Sequence, residues 1–166
     1  MSDVTSIEQD LYVRDAAAYR PATFEETLHA ARRALAHRFR PGRSLRSPEL
    51  VQEYLRFALA SKEHEVFCLV FLDARHRLLG MIELFRGTVD GAQVHPREVV
   101  KESLRYNAAA VILAHNHPSG QASPSQADEL ITQRLKDALA LVDIRVLDHM
   151  IVTTHDIVSF ARSGLL

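Results

Sequence analysis

The chain has only one cysteine in 166 residues, no long apolar stretch and no excess of charge of either sign. A single thiol excludes an internal disulfide and any zinc site built on cysteines. Cys68 lies within the apolar run Val66-Phe67-Cys68-Leu69-Val70, where a buried, inert thiol is expected rather than a nucleophile. No run approaches the roughly 20 apolar residues needed to cross a bilayer, so no membrane partner is expected. The start, MSDVTSIEQDLYVRD, is polar and acidic, unlike a secretory or transit peptide, which makes a cytoplasmic location the expectation.

Twenty basic residues stand against 21 acidic ones, a formal net charge of -1. Proteins that bind nucleic acid by neutralising phosphates carry a basic excess, and this chain as a whole does not. Arg32, Arg33, Arg38, Arg40, Arg43 and Arg46 form local basic clusters that leave local DNA contact open. A solvated helix face and loop accounts for them more simply. Internal repeats and low-complexity segments are also missing.

What is present is ordinary for a globular protein: 47% apolar and 25% charged residues, in a length that suits one domain with a small appendage. Residues 1–20 lack periodicity and predict a loosely docked tail. Thr23-Phe24-Glu25-Glu26 fits a capping box, with Leu28, Ala31 and Leu35 at helical spacing after it. Arg40-Pro41-Gly42-Arg43 breaks that helix, and Ser47-Pro48 starts another. From Glu65 the period changes: Glu65 to Leu72 and Leu78 to Arg86 predict two strands of a hairpin across the polar turn Asp73–Arg77. Pro96 opens a short helix, and Ala108 to Ala114 is a nearly all-apolar strand. Ser123-Pro124-Ser125-Gln126 then predicts a helix start, with Ser123 as cap and Gln126 at the capping-box position. Ile144 to Thr153 and Asp156 to Ala161 complete the strands. Such alternation defines a mixed α/β domain in which helices pack on a sheet.

His115-Asn116-His117 stands where the apolar strand gives out. Residues two apart on a strand point the same way, so both imidazoles can project from one face at the sheet rim. Neutral imidazole is a good zinc ligand, and a carboxylate oxygen completes a catalytic set that leaves a position for water. Asp128, on the first turns of the next helix, fits that third place. Ser125 lies three residues earlier on the same helix face, where its hydroxyl can donate to a bound water or a developing oxyanion. Water attack on an amide also needs a carboxylate that is not a ligand, to move a proton. Glu65 and Glu83, on adjacent predicted strands, are both candidates from spacing alone. Each residue has a plainer explanation: Ser125 as a helix-start residue, Asp128 as a favourable charge near a helix N-terminus, a His-x-His pair as core or surface. Their combination favours metal binding. His149 alternates with apolar neighbours on its strand and is expected to be an inward, hydrogen-bonded histidine.

His115-x-His117, seven residues, Ser125, two residues and Asp128 has the spacing of the JAMM motif of JAB/MPN-domain metalloproteases. The longer string AHNHPSGQASPSQAD, with LFRGTVDGAQVHPREVVKESLRYNAAAVIL before it and VLDHMIV after it, resembles the RadC family over roughly residues 45–166. The resemblance implies a JAB/MPN-like, cytidine-deaminase-like fold with a central β-sheet flanked by helices. It also implies a zinc ion on His115, His117 and Asp128, Ser125 beside the bound water, and a glutamate as general acid/base at the start of the first core strand. That position maps to Glu65 in preference to Glu83. Longer RadC-like proteins carry an N-terminal helix-hairpin-helix module, for which this chain has too few residues before the core. The expectation is therefore a tail and helix over 1–44 and a metal-binding domain over 45–166. Its expected function is that of a zinc metallopeptidase on a peptide or isopeptide bond of a peptide or protein substrate. The alternative is a DNA repair or recombination accessory module with a non-catalytic metal site. The chain lacks a Pro-Cys-x-x-Cys element, which argues against deaminase chemistry.

Overall fold

The computed structural model describes residues 11–15, 18–45, 47–60, 62–87 and 94–166, so Arg46 and the start of the chain lie outside the described residues. The chain divides into two compact units, Met1–Arg38 and Phe39–Leu166. In the first, β1 (Tyr12–Asp15) and β2 (Ala18–Pro21) pair antiparallel and lead into α1 (Phe24–Arg38). The expected tail is thus a hairpin from Tyr12 onward. Its strands are four residues each and almost wholly exposed, so they carry no alternating pattern for the sequence to display. The capping box of α1 forms as expected: Glu26 N–H donates to Thr23 Oγ1 at 3.2 Å, and Thr23 N–H to Glu26 Oε2 at 2.9 Å. Arg20 grips both oxygens of the same carboxylate at 2.8 and 2.7 Å. The Arg20 hydrogen bonds and the Thr23 N–H push the Glu26 carboxyl down to about 2.

The second unit contains α2 (Pro48–Leu59), β3 (Val66–Leu72), β4 (Leu78–Arg86), α3 (Pro96–Arg105), β5 (Ala110–Asn116), α4 (Gln126–Ala140), β6 (Arg145–Val152) and β7 (Ile157–Ser159). Ser47 caps α2, with Pro48 at the first helical position. The five strands form one sheet in the order β4-β3-β5-β6-β7. β5 and β6 are parallel, joined by α4 as a crossover, and the other pairings are antiparallel. The two least polar runs become the central strands β3 and β5, each buried along its whole length.

Strand alternation sorts the core into two faces. Phe67, Leu69 and Phe71 of β3 and Val111 and Leu113 of β5 pack with Val99 of α3 and with Leu135 and Leu139 of α4. On the other face α2 buries Val51, Leu55 and Leu59, and its Tyr54 lies beside Cys68. Burial, with repulsion from Glu83, pushes the Cys68 thiol up to about 12, so it is inert as a nucleophile. Gly80 marks a close approach. The Tyr106 ring stacks on Phe71 at 4.2 Å between centroids, and a Cβ at position 80 would stand 2.6 Å from its Cε1. Among the described residues no helix is long and apolar enough to cross a membrane.

Candidate metal centre

β5 ends in the middle of the sheet, and the crossover to β6 leaves from its carboxyl end, the place where layered α/β folds collect ligands. His115 is the penultimate strand residue, 1% exposed, paired in register with Phe67 and Ile151. The chain then turns through His117-Pro118-Ser119-Gly120, closed by Gly120 N–H donating to the His117 carbonyl at 3.0 Å. Gly120 sits at φ 83, a left-handed conformation that a side chain would strain. The reversal brings the Gln121 carbonyl to His117 Nδ1 at 2.7 Å. A carbonyl only accepts, so His117 Nδ1 carries the proton, and in the neutral ring Nε2 is left bare.

Helix α4 begins two residues later than the sequence suggests. Its cap is Ser125, not Ser123, and the residue that completes the capping box is Asp128, not Gln126. Ser125 N–H and Oγ donate to Asp128 Oδ2 at 2.8 and 2.6 Å, and Asp128 N–H donates to Ser125 Oγ at 3.2 Å. A charged carboxylate takes these bonds better than an amide and gains from the helix dipole, which explains the later start. The Oδ1 oxygen is thereby turned away from the cap, 3.3 Å from His115 Nε2. Burial alone raises the Asp128 carboxyl, but the contact with His115 and the bonds from Ser125 outweigh it and hold the group well below the usual carboxylate range. It is an anion at any physiological pH.

His115 Nε2 and His117 Nε2 face each other at 2.9 Å, and His117 Nε2 lies 4.0 Å from Asp128 Oδ2. Among the described residues, His115, His117 and Asp128 form a group whose ligand atoms all lie within 4.8 Å of one another. Two imidazole nitrogens and one carboxylate oxygen converging this closely fit a divalent cation of zinc type, with room for a further ligand. Softer metals that prefer sulfur have no thiolate here.

His117 of the triad lines a cleft of about 680 Å³ whose walls also include Glu65, Gln121 and Ser125. Glu65 reaches it because Asn116, between the two histidines, points the other way and pins the preceding chain. Asn116 Oδ1 accepts from Val66 N–H at 2.8 Å, and its Nδ2 donates to the carbonyls of His64 and Lys62 at 3.1 and 3.3 Å. Glu83 lies elsewhere. It pairs in register with Cys68 on the α2 face and forms an ion pair with Lys62, while Ile82 and Leu84 beside it join the opposite core. Two further groups belong to the centre. His149 is fully buried, bonded to His115 on one side and to Thr132 of α4 on the other. Burial first, and then repulsion from His115, pushes its pKa far down, so it is a neutral ring. Alternation on its strand marks His149 as inward, but the contact of Thr132 with His149 and the structural part of Asn116 carry no sequence signal: these bonds span 17 or more residues.

A His-x-His pair at a strand end, completed by an aspartate from the next helix, gives this mixed α/β domain a group that could hold a metal ion. Residues 45–165 match the RadC-like JAB domain model. The chain is 59% identical to a UPF0758 protein of Methylibium petroleiphilum over 145 residues, covering 87% of this chain and 65% of that protein. A UPF0758 protein of Nitrosomonas eutropha is 55% identical over the same shares. A UPF0758 protein of Vibrio cholerae serotype O1 is 53% identical over 163 residues, 98% of this chain and 100% of its own length. The chain thus spans about two thirds of the first two relatives and all of the third. The chain belongs to the RadC-like JAB domain family, and its fold is JAB/MPN-like.

Proposed function

We propose that the protein is a zinc-dependent metallopeptidase that hydrolyses a peptide or isopeptide bond of a peptide or protein substrate. The observation that carries this reading is the convergence of His115 Nε2, His117 Nε2 and an Asp128 oxygen, with His117 lining a cleft that Glu65, a carboxylate outside the ligand set, also lines. When bound, zinc supplies Lewis acidity, polarising a scissile carbonyl and making water a nucleophile near neutral pH. His115, His117 and Asp128 hold it. Glu65 accepts the proton of the attacking water and returns it to the departing amine as the C–N bond breaks. Ser125 contributes its hydroxyl to the carbonyl oxygen as negative charge develops there. To do so it releases Asp128 Oδ2, to which it donates at 2.6 Å. Pro118 and the Gly120 turn hold the cleft wall beside His117.

The test separates metal from chemistry. Wild-type protein is expected to carry about one zinc per chain, and His117→Ala to lose it. Glu65→Gln is expected to keep the zinc and to lose turnover of peptide and isopeptide substrates by roughly 100-fold or more. A Glu65→Gln protein as active as wild type sinks the assignment of Glu65. Wild-type protein that takes up no zinc sinks the metallopeptidase.

A further inference from the structure

His115 is held from behind by a chain of three hydrogen bonds that ends on the third ligand's own backbone. Its Nδ1 lies 2.8 Å from His149 Nε2. His149 Nδ1 lies 2.5 Å from Thr132 Oγ1, and Thr132 Oγ1 donates to the Asp128 carbonyl at 2.5 Å. The proton inventory gives this chain a direction. Thr132 has one hydroxyl proton and two partners, of which the Asp128 carbonyl can only accept. The Thr132 proton is therefore committed there, one helical turn back, a bond common for threonine in helices. Thr132 Oγ1 then accepts from His149 Nδ1–H. A neutral His149 with its proton on Nδ1 has a bare Nε2, which accepts from His115 Nδ1–H. The remaining nitrogen, His115 Nε2, is bare and faces His117 and Asp128.

We propose that Thr132 and His149 are positioning residues of the metal centre: together they hold His115 in the tautomer whose Nε2 lone pair points at the ion, and tie it to the helix that carries Asp128. This rests on the metal-binding reading for its purpose, but not for its geometry. The surroundings of His149 suit a fixed ring. Phe67 meets it edge-on at 5.5 Å and Phe160 packs against it at 4.7 Å between centroids, and the side chain is fully buried. The two ligand histidines are thus oriented by different means. His117 leans on an exposed loop carbonyl, and His115 on a buried side-chain relay running 34 residues along the chain to His149. Partners of this kind fix the tautomer of a metal-bound imidazole and are worth about 10–100-fold in metal affinity.

Long-range ¹H–¹⁵N spectra of the histidine rings in the metal-free full chain report the tautomers directly. The expected result at pH 8 is a protonated Nδ1 on both His115 and His149. Thr132→Val keeps the shape of the side chain but removes both its donor and its acceptor, freeing His149 to donate from Nε2. His115 is then expected to shift toward the Nε2–H form, and zinc affinity by competition with a chelator to fall about 10–100-fold. Thr132→Ser restores the hydroxyl and is expected to restore both readouts. A wild-type His115 protonated on Nε2 overturns the proposal, as does a Thr132→Val protein with unchanged tautomers and unchanged zinc affinity. The wild-type spectrum needs no variant to fold. If wild-type protein binds no zinc, the metal reading falls, while the tautomers still decide the relay.

Discussion

Two helices in this chain begin with the same local device and put it to different uses. At the start of α1, Thr23 and Glu26 cap one another; at the start of α4, Ser125 and Asp128 do. In both, a hydroxyl accepts from a backbone N–H and a carboxylate accepts in return. The difference lies in the second oxygen. Arg20 occupies both oxygens of Glu26, so that carboxylate is neutralised by a fixed cation on an exposed surface. Asp128 spends Oδ2 on the cap and turns Oδ1 toward His115, with no arginine or lysine on it among the described residues. A capping box is therefore a means of orienting a carboxylate, and the neighbours of its spare oxygen determine whether it serves stability or a ligand.

The largest contrast is in metal binding. Asp128→Asn removes the charge and leaves an oxygen able to serve the cap, and zinc affinity is expected to fall by more than about 100-fold, beyond the range typical of residues that merely support a ligand. Glu26→Gln, the same change at the other helix, is expected to leave zinc content unchanged. Metal analysis of the two variants side by side checks this. Equal zinc content in both variants would remove the distinction between the two boxes.

How far each box was legible in the sequence follows from the same physics. The α1 box stands alone in Thr23-Phe24-Glu25-Glu26, and it forms where the spacing puts it. The stretch Ser123-Pro124-Ser125-Gln126-Ala127-Asp128 contains two overlapping boxes, and the letters do not say that a carboxylate at the helix dipole outcompetes an amide. The strands β3 to β6 were visible as apolar runs, and His115, His117 and Asp128 as an alternation followed by a helix start. Spacing alone did not separate Glu65 from Glu83; the resemblance favoured Glu65, and the pairing of β3 with β4 puts Glu83 opposite Cys68, on the far face. The β1–β2 hairpin escaped notice because Ala16-Ala17 offers no turn signal and its strands bury almost nothing. Thr132 was invisible as a partner of His149, since that contact exists only once α4 lies on β6.

The next contrast removes the hydroxyl from each cap. Ser125→Ala and Thr23→Ala each lose an N-cap and are expected to cost about 1 kcal/mol of local helix stability. Beyond that shared loss, Ser125→Ala is expected to keep its zinc and lower peptide turnover, the role proposed for its hydroxyl. Thr23→Ala is expected to leave turnover at the wild-type level. Denaturant midpoints with turnover on the same samples separate the two effects. A Ser125→Ala protein with full turnover reduces Ser125 to a cap.

The smallest effect is in acid. Glu26 has an ordinary value of 4.5 and is held at about 2 in the folded chain. A carboxyl lowered on folding stabilises above its unfolded pKa, and that contribution is lost as pH falls through the folded one. The Arg20–Glu26 contribution is therefore complete above about pH 4.5 and fades toward pH 2. The Arg20–Glu26 pair lies at the surface, part-exposed, so the free energy at stake is small and salt screens it. Carboxyl ¹³C titration is expected to place Glu26 near 2 at low salt and to move it upward in 1 M salt. Asp128, partly buried, has its carboxyl lowered by the neighbouring His115 and Ser125 rather than by an exposed ion pair, and is expected to shift less with salt. The reverse ranking would mean that the exposed cap is the better shielded of the two, and would undo the account of why only one of them is free to take a metal.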